Sequence, residues 1–161
     1  TAEDENILML YTDTDSIHID ETKIPILEVA YEKIYKRPLE GNDLGRFHTD
    51  FDLGKCKDVY SEGFIALGKK AYLDMLVGTN PKGEIERGYH IRLKGVTEGS
   101  IHNCCLENDM KLEELYEGLY DGETFAFNLL KDADGDDIPK FKFNKNYTIS
   151  NMEAFVRTAT F

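Results

Sequence analysis

The residue types best suited to chemistry lie near the start of the chain, in the segment Tyr-Thr-Asp-Thr-Asp-Ser at residues 11–16. Apolar residues precede this segment at 7–10, and two isoleucines follow it within 17–19, so we expect two strands joined by a tight bend. Asp13 and Asp15 are two positions apart, and alternate residues of an extended chain point to the same side. The pattern predicts a hairpin whose two carboxylates face one metal site.

Paired carboxylates at such a bend suit hard divalent cations. Mg²⁺ prefers oxygen ligands and keeps coordination positions for water and substrate phosphates, and Mn²⁺ accepts the same donors. Two such ions about 3.5–4 Å apart can stabilise the attacking and the leaving oxygen of a phosphoryl displacement. The alternative is a solvated turn in which Asp and Ser bond their own backbone. Apolar strands on both sides favour the metal site, because a solvated turn does not require them.

Residues 11–16 resemble the third catalytic palm motif of the family B DNA polymerases, commonly Tyr-Gly-Asp-Thr-Asp-Ser, with Thr12 in place of the usual small residue. The resemblance implies a DNA-directed DNA polymerase that uses two Mg²⁺ ions, or Mn²⁺, to add deoxynucleotides from their triphosphates to a primer end. The resemblance implies that Asp15 and Asp13 are the metal-binding and catalytic residues, with Asp15 as the principal ligand. It also implies that Tyr11 and Thr14 support the hairpin and the incoming nucleotide.

A second group of residues, Lys69-Lys70-Ala71-Tyr72, lies in a segment at 63–77 that reads as strand, interrupted at Gly68. Strand alternation predicts that Lys70 and Tyr72 share a face, so that a cation meets a phosphate while a ring lies against sugar or base. The position resembles the Lys-x-Tyr motif of family B polymerases, which implies contact with the primer terminus. By itself, a strand tyrosine that packs against its neighbours is an equally good interpretation.

The strand predicted at 89–94 places His90, Arg92 and Lys94 on one face. If this strand pairs with residues 69–77, a basic ribbon forms that can grip the backbone of one nucleic acid strand without reading its sequence. The alternative is an ordinary half-exposed strand with a polar outer face, and for His90 we favour that alternative.

Three further segments resemble the protein-primed branch of the family, found in phages, viruses and linear plasmids. Leu44-Gly45-Arg46-Phe47 is similar to a Leu-Gly-aromatic segment between the two motifs, and Lys94-Gly95 to the palm-to-thumb junction. Residues 141–158 resemble a small thumb that contains β-structure. The resemblance implies three kinds of partner, namely primer-template DNA, deoxynucleoside triphosphates and a terminal priming protein.

Composition sets the class of protein. The chain has 161 residues, of which 41% are hydrophobic, enough for one sizeable core or two small ones. The sequence contains neither an apolar run of membrane-spanning length nor an apolar leader at residues 1–6, so we expect a soluble, intracellular protein that does not use a membrane. Cys104 and Cys105 are expected as small core residues, while Cys56 has no obvious partner.

The charge is distributed unevenly. The net charge is −12, which is unusual for a protein that holds nucleic acid. The number of basic residues minus the number of acidic residues gives −8 for 1–52 (5 against 13), +2 for 53–102 (8 against 6) and −6 for 103–161 (6 against 12). Phosphate contact is therefore expected in the middle third, and the acidic flanks are expected to be solvated surface.

These elements predict an α+β fold, with an antiparallel palm sheet and a packed helix in residues 1–96 and a small helix-plus-β thumb in 97–161. Apolar spacing predicts helices at 26–36, 98–106 and 111–120, and strands at 46–53, 89–94, 125–130, 140–144 and 157–161. The acidic segment 132–137 is expected to be a hairpin turn, because its glycine and its twelfth position do not fit a calcium-binding EF-hand loop.

The chain starts at Thr1 close to the carboxylate motif, and we expect it to be a piece of a longer polymerase that is inactive by itself. The partner carboxylate motif and the nucleotide-binding Lys motif implied by the resemblance do not occur in it. Two alternatives stay open. One is a non-catalytic nucleic-acid-binding module that keeps the palm and thumb fold, and the other is an acidic interaction domain with an accidental Asp turn.

Overall fold

The computed structural model describes residues 2–161 and has the predicted α+β class, with antiparallel sheets and three α-helices in the described residues. The chain divides into two compact units, an amino-terminal unit that ends at Asp52 and a carboxy-terminal unit of Leu53–Phe161. No helix within residues 2–161 is both long and apolar enough to cross a membrane.

The amino-terminal unit is a hairpin packed on a helix. Strands β1 (Met9–Asp13) and β2 (Ser16–Ile19) pair antiparallel, and a short 3₁₀ turn leads into α1 (Ile24–Tyr35). This confirms the helix expected at 26–36, with a proline in its first turn and a left-handed residue, Lys36, closing it. The small core of this unit is formed by Ala2, Ile7, Leu27, Tyr31 and Leu39, with Met9, Ile17, Ile19 and Ile24 packed against them.

The carboxy-terminal unit contains a three-stranded antiparallel sheet of β3 (Lys57–Gly68), β4 (Ala71–Thr79) and β5 (Ile85–Leu93), with β4 in the middle. One face of this sheet is covered by α2 (Glu98–Glu107) and α3 (Leu112–Tyr120). Cys104 and Cys105 are buried in that core, as expected. The central core side chains are Ala71, Leu73, Ile91, Leu93, Ile101, Leu112, Leu115, Tyr116, Leu119, Phe127 and Leu129.

Two short ribbons complete this unit. Strand β6 (Phe125–Asn128) pairs with β9 (Val156–Ala159), and β7 (Phe141–Phe143) pairs with β8 (Ile149–Asn151). The acidic segment between β6 and β7 is a turn, as predicted. Its first carboxylate, on Asp132, accepts hydrogen bonds from the backbone N–H groups of Asp134 and Asp136, at 3.0 and 2.8 Å.

The structure corrects one of the predicted elements. Residues 46–53 form no strand in the described chain, and Phe47 makes a single bridge to Glu40. The compact units divide after Asp52, because the sheet of residues 57–93 and the helices that follow it share one core. The naming of 1–96 as palm and 97–161 as thumb stays a prediction.

Candidate functional site

The carboxylate hairpin, residues 9–19, has its two aspartates at the tip. Asp13 ends β1 opposite Ser16, and Thr14 and Asp15 form the two-residue turn between them. The Ser16 hydroxyl donates to the backbone oxygen of Asp13 at 3.0 Å, and the Thr14 hydroxyl donates to Oδ1 of Asp13 at 3.1 Å. Asp15 is therefore in the bend and not in a strand, so strand alternation does not explain where its exposed carboxylate points.

Thr14 has an unusual backbone conformation. Its φ is +49°, in the left-handed region that glycine and asparagine adopt readily and β-branched residues avoid. This backbone conformation costs on the order of 1–3 kcal/mol of folding free energy, and it persists where the surrounding structure fixes it. This strain lies between the two aspartates, which is the position where a functional constraint on the turn would be expected.

A β-bulge in β1 determines which side chains accompany the aspartates. Met9 pairs with Ile19 but Tyr11 pairs with His18, so Leu10 is an extra residue. In this register Met9 and Ile19 face the helix, and both pack on the core. Because of the extra residue, Tyr11 lies on the opposite face of the hairpin, and Asp13 lies on the same face as Tyr11. The sequence pattern alone did not indicate this change of face.

Aromatic rings line the same face of the hairpin. Tyr11 and His18 meet edge to face with ring centroids 5.4 Å apart, and Phe51 approaches His18 in a T-shaped arrangement at 6.1 Å. Such pairs contribute about 0.5–1.5 kcal/mol each beyond the area that they bury. The ring of Tyr11 is thus held in a defined position on the face of Asp13.

The segment Leu44-Gly45-Arg46-Phe47 is a loop anchored on α1. The Tyr31 hydroxyl donates to the carbonyl of Gly45, and Nη1 of Arg37 donates to the carbonyl of Leu44 at 3.1 Å. Gly45 has φ +81°, and a Cβ there would lie 2.4 Å from Nη2 of Arg37. The positive φ favours glycine here, whereas the guanidinium of Arg37 is the movable end of a long side chain. Leu44 is held with 98% of its surface exposed.

The second candidate site starts at the lysine turn, Lys69-Lys70, which joins β3 to β4. Lys70 has φ +59° and is exposed, so it lies at a hairpin tip and not in a strand. The prediction that Lys70 and Tyr72 share one strand face is therefore wrong in its geometry, because the turn comes one residue before β4 begins. Lys70 instead projects from the end of the sheet in which Tyr72 lies.

Tyr72 has a partner, His90, for which the sequence favoured an ordinary surface position. The hydroxyl of Tyr72 lies 3.3 Å from Nε2 of His90 on the neighbouring strand, and their ring centroids are 5.8 Å apart. The ring of Phe64 lies 5.9 Å from that of Tyr72 on the other side. The tyrosine is thus positioned between two aromatic neighbours, and His90 belongs to this site.

Asp74 is a buried carboxylate on the same face of the sheet. It pairs in register with Phe64 and His90 and is 0% exposed. A buried carboxylate is uncommon, because removing it from water costs several kcal/mol. One signal in the sequence could have identified it, since this aspartate interrupts the otherwise apolar run of β4.

The basic ribbon is formed in part. Strand β5 pairs with β4 as predicted, with Arg92 opposite Tyr72. Lys94, however, follows the end of β5 in a turn, so it does not share the strand face. Nη1 of Arg92 lies 2.8 Å from Oε1 of Glu98, and both side chains are about half exposed. Such a pair contributes about 0–1 kcal/mol, so a phosphate can compete with it for the guanidinium.

Residues 2–161 include no group of three His, Cys, Asp or Glu side chains arranged to hold a metal ion. The donors at the tip of the carboxylate hairpin are all oxygen atoms, which suits Mg²⁺ and Mn²⁺. Mg²⁺ is commonly bound through one or two carboxylates, with waters and substrate phosphates as the other ligands. The two aspartates therefore fit a part of such a site.

Comparisons with protein-family models, with curated proteins and with solved structures found no match to this chain.

Proposed function

We propose that this chain is the carboxy-terminal palm and thumb part of a family B DNA polymerase, most similar to the protein-primed branch. The observation that carries the proposal is the carboxylate hairpin. It combines Asp13 at a strand end, Asp15 in the turn, and a bulge that turns Tyr11 to the face of Asp13. Bulges of this kind are frequent beside active sites, where they redirect a side chain.

In the proposed reaction the 3′-hydroxyl oxygen of a primer attacks the α-phosphorus of a deoxynucleoside triphosphate and loses its proton to water. The bond from the α-phosphorus to the oxygen that bridges it to the β-phosphorus breaks, and pyrophosphate leaves. Asp15 and Asp13 would hold the two Mg²⁺ ions, which when bound stabilise charge on the attacking and leaving oxygens. Thr14 orients the Asp13 carboxylate through its hydroxyl, and Ser16 closes the turn on the backbone of Asp13. Tyr11 would support the hairpin and the incoming nucleotide.

The lysine turn and its sheet would hold the primer. Lys70 is an exposed cation at a hairpin tip, suited to a backbone phosphate. Tyr72 is positioned by His90 and Phe64, so its ring can contact the terminal sugar or base. Arg92 and Lys94 would contribute further phosphate contacts. Primer-template DNA, deoxynucleoside triphosphates and a terminal priming protein are the proposed partners, and an intracellular location is proposed with them.

Manganese titration followed by NMR tests the proposal on the 161-residue chain. Mn²⁺ broadens amide signals near its binding site, so we expect selective broadening at Asp13, Thr14 and Asp15 at low metal concentration. Asp15→Asn should remove the effect, because it deletes a ligand. The control is Glu28→Gln, which deletes one exposed carboxylate from α1 of the same unit and should leave the broadening unchanged.

Two results would contradict the proposal. Uniform broadening at every acidic segment, with no difference between the variants, would support an acidic interaction domain. Nucleic acid binding without any selective metal effect would support the alternative of a non-catalytic module with the palm and thumb fold.

A further inference from the structure

The ribbon of β7 and β8, here called the aromatic hairpin (residues 141–151), exposes four large side chains. Their exposed fractions are 64% for Phe141, 69% for Phe143, 86% for Tyr147 and 66% for Ile149. Phe143 pairs with Ile149 and shares a strand with Phe141 two positions away, so these three lie on one face. Exposed apolar side chains that gather in this way mark a binding surface more often than scattered ones do.

The loop of the aromatic hairpin holds Tyr147 in place. Tyr147 has φ +62°, and its backbone N–H donates to the carbonyl of Asn144 at 3.0 Å. Oδ1 of Asn146 accepts a hydrogen bond from the hydroxyl of Thr148 at 2.6 Å. The ring of Tyr147 meets that of Phe143 in a T-shaped arrangement at 6.3 Å. A bulky residue in the left-handed region is unusual, and here it keeps a ring in solvent.

The charge of this segment is opposite to that of the rest of the chain. Residues 138–152 contain three lysines and no acidic residue, although the chain as a whole carries −12. Nζ of Lys140 lies over the ring of Phe155 at 5.8 Å. Lys142 and Lys145 are exposed and form no ion pair with any residue of the described chain. The aromatic hairpin is therefore a small cationic surface on an acidic protein.

Rings beside lysines suit one class of ligand. Unpaired bases stack on exposed aromatic rings without regard to sequence, while lysines meet the phosphates between them. In a duplex the bases stack on each other, so their faces are not accessible to the aromatic rings of the protein. Edge-to-edge pairing with a second copy is disfavoured, because both strands have only three residues and β7 carries the exposed Lys142.

We propose that the aromatic hairpin binds single-stranded nucleic acid, with Phe141, Phe143 and Tyr147 stacking on bases and Lys142 and Lys145 contacting phosphates. This site is separate in sequence and in kind from the carboxylate hairpin. It uses no metal, so it does not depend on the proposed polymerase function.

Fluorescence anisotropy with a labelled twelve-nucleotide oligothymidine, in EDTA, tests the proposal on the 161-residue chain. Tyr147→Ala and Phe143→Ala should each weaken binding roughly 5- to 100-fold, as expected for loss of one stacked base. Tyr147→Phe should bind like the parent chain, because stacking uses the ring. Tyr120→Ala, which removes an exposed ring from α3, is the matched control and should have no effect.

Salt dependence separates the lysines from the rings. Lys142→Gln and Lys145→Gln should each make the negative slope of log K against log salt less steep by about 0.7 for a single strand. Tyr147→Ala should leave that slope unchanged. Lys33→Gln, at an exposed position of α1, is the control for the loss of one charge.

Three outcomes would overturn the proposal. The first is no detectable binding of the oligonucleotide, and the second is equal weakening by Tyr120→Ala and Tyr147→Ala. The third is a concentration-dependent dimer in sedimentation that Phe143→Ala abolishes, since it would assign this face to a second copy of the chain. Asp15→Asn should not change oligonucleotide binding, so the result is independent of the metal site.

Discussion

The Tyr72 hydroxyl and Nε2 of His90 lie 3.3 Å apart across adjacent strands, with their rings 5.8 Å apart. This contact fixes the orientation of the tyrosine that we propose as a primer contact. It also shows why strand β5 matters to the site, because β5 supplies His90 to the face of Tyr72 through its register with β4.

The Tyr72–His90 contact should be measurable as a coupling energy. A double-mutant cycle of Tyr72→Phe and His90→Ala, in chemical denaturation of the 161-residue chain, should give about 0.5–1.5 kcal/mol of interaction. The same cycle with Tyr120→Phe and His90→Ala should give a value near zero, since Tyr120 is on the surface of α3. Equal values in the two cycles would mean that the contact is not formed in solution.

Replacing Thr14 should reveal the strain at the carboxylate hairpin. Thr14→Asn should raise the free energy of unfolding by about 0.5–1 kcal/mol, because asparagine tolerates the left-handed region better than a β-branched residue. Thr12→Asn should lower the free energy of unfolding, since Thr12 lies in strand β1, where asparagine is disfavoured. Chemical denaturation of both variants tests the assignment. Thr14→Val, which also lacks the hydroxyl that donates to Asp13, is the reference for that lost hydrogen bond. A Thr14→Asn chain no more stable than Thr14→Val would show that the backbone is unstrained.

Stability should fall at alkaline pH. Burial raises the pKa of Cys105 from 9.0 to about 11. Burial, followed by the hydrogen bond to Glu113, raises the pKa of Tyr89 from 10.0 to about 12. A pKa raised on folding contributes stability that is present below the unfolded pKa and is lost as the pH rises through the folded pKa. The melting temperature should therefore decline between pH 9 and 12.

Tyr89→Phe isolates one part of this decline. The variant should lose less stability than the parent chain between pH 10 and 12, because it has no phenol to ionise. Tyr120→Phe provides the matched control for removing an exposed phenol from the same unit. A melting temperature that is independent of pH up to 12 would contradict the account.

The isolated 161-residue chain should not extend a primer. In the proposed function its two aspartates would supply a part of the ligand set, and that proposal requires a further carboxylate motif and a nucleotide-binding lysine that these residues do not supply. A primer-extension assay with Mg²⁺, and again with Mn²⁺, checks this. Metal-dependent incorporation that Asp15→Asn abolishes would show that the chain by itself is sufficient.

Helices were the most predictable elements, because the apolar residues on the buried face of a helix recur every three to four positions in the sequence. The apolar spacing in residues 111–120 identified the buried face of α3, and Pro25 marked the first turn of α1. The bend at 11–16 was also predictable, since aspartate and serine favour turns and apolar strands flank it. Each of these signals is local in sequence.

Features that depend on pairing between strands could not be predicted in this way. The bulge at Leu10 exists only relative to β2, so nothing in the order of residues 7–13 marks it. The lysine turn has no glycine, asparagine or proline at its two positions, and so it resembled strand. The role of His90 depends on the register of β5 against β4, which the sequence of either strand does not specify.

The most direct test of the central claim is primer extension by the full-length polypeptide that the proposal implies. Asp15→Asn should abolish Mg²⁺-dependent incorporation while binding of primer-template DNA stays close to that of the parent, and Glu28→Gln should behave like the parent in both measurements. Retained incorporation in Asp15→Asn, or loss of DNA binding with incorporation unchanged, would contradict the assignment of Asp15 as a metal ligand for DNA synthesis.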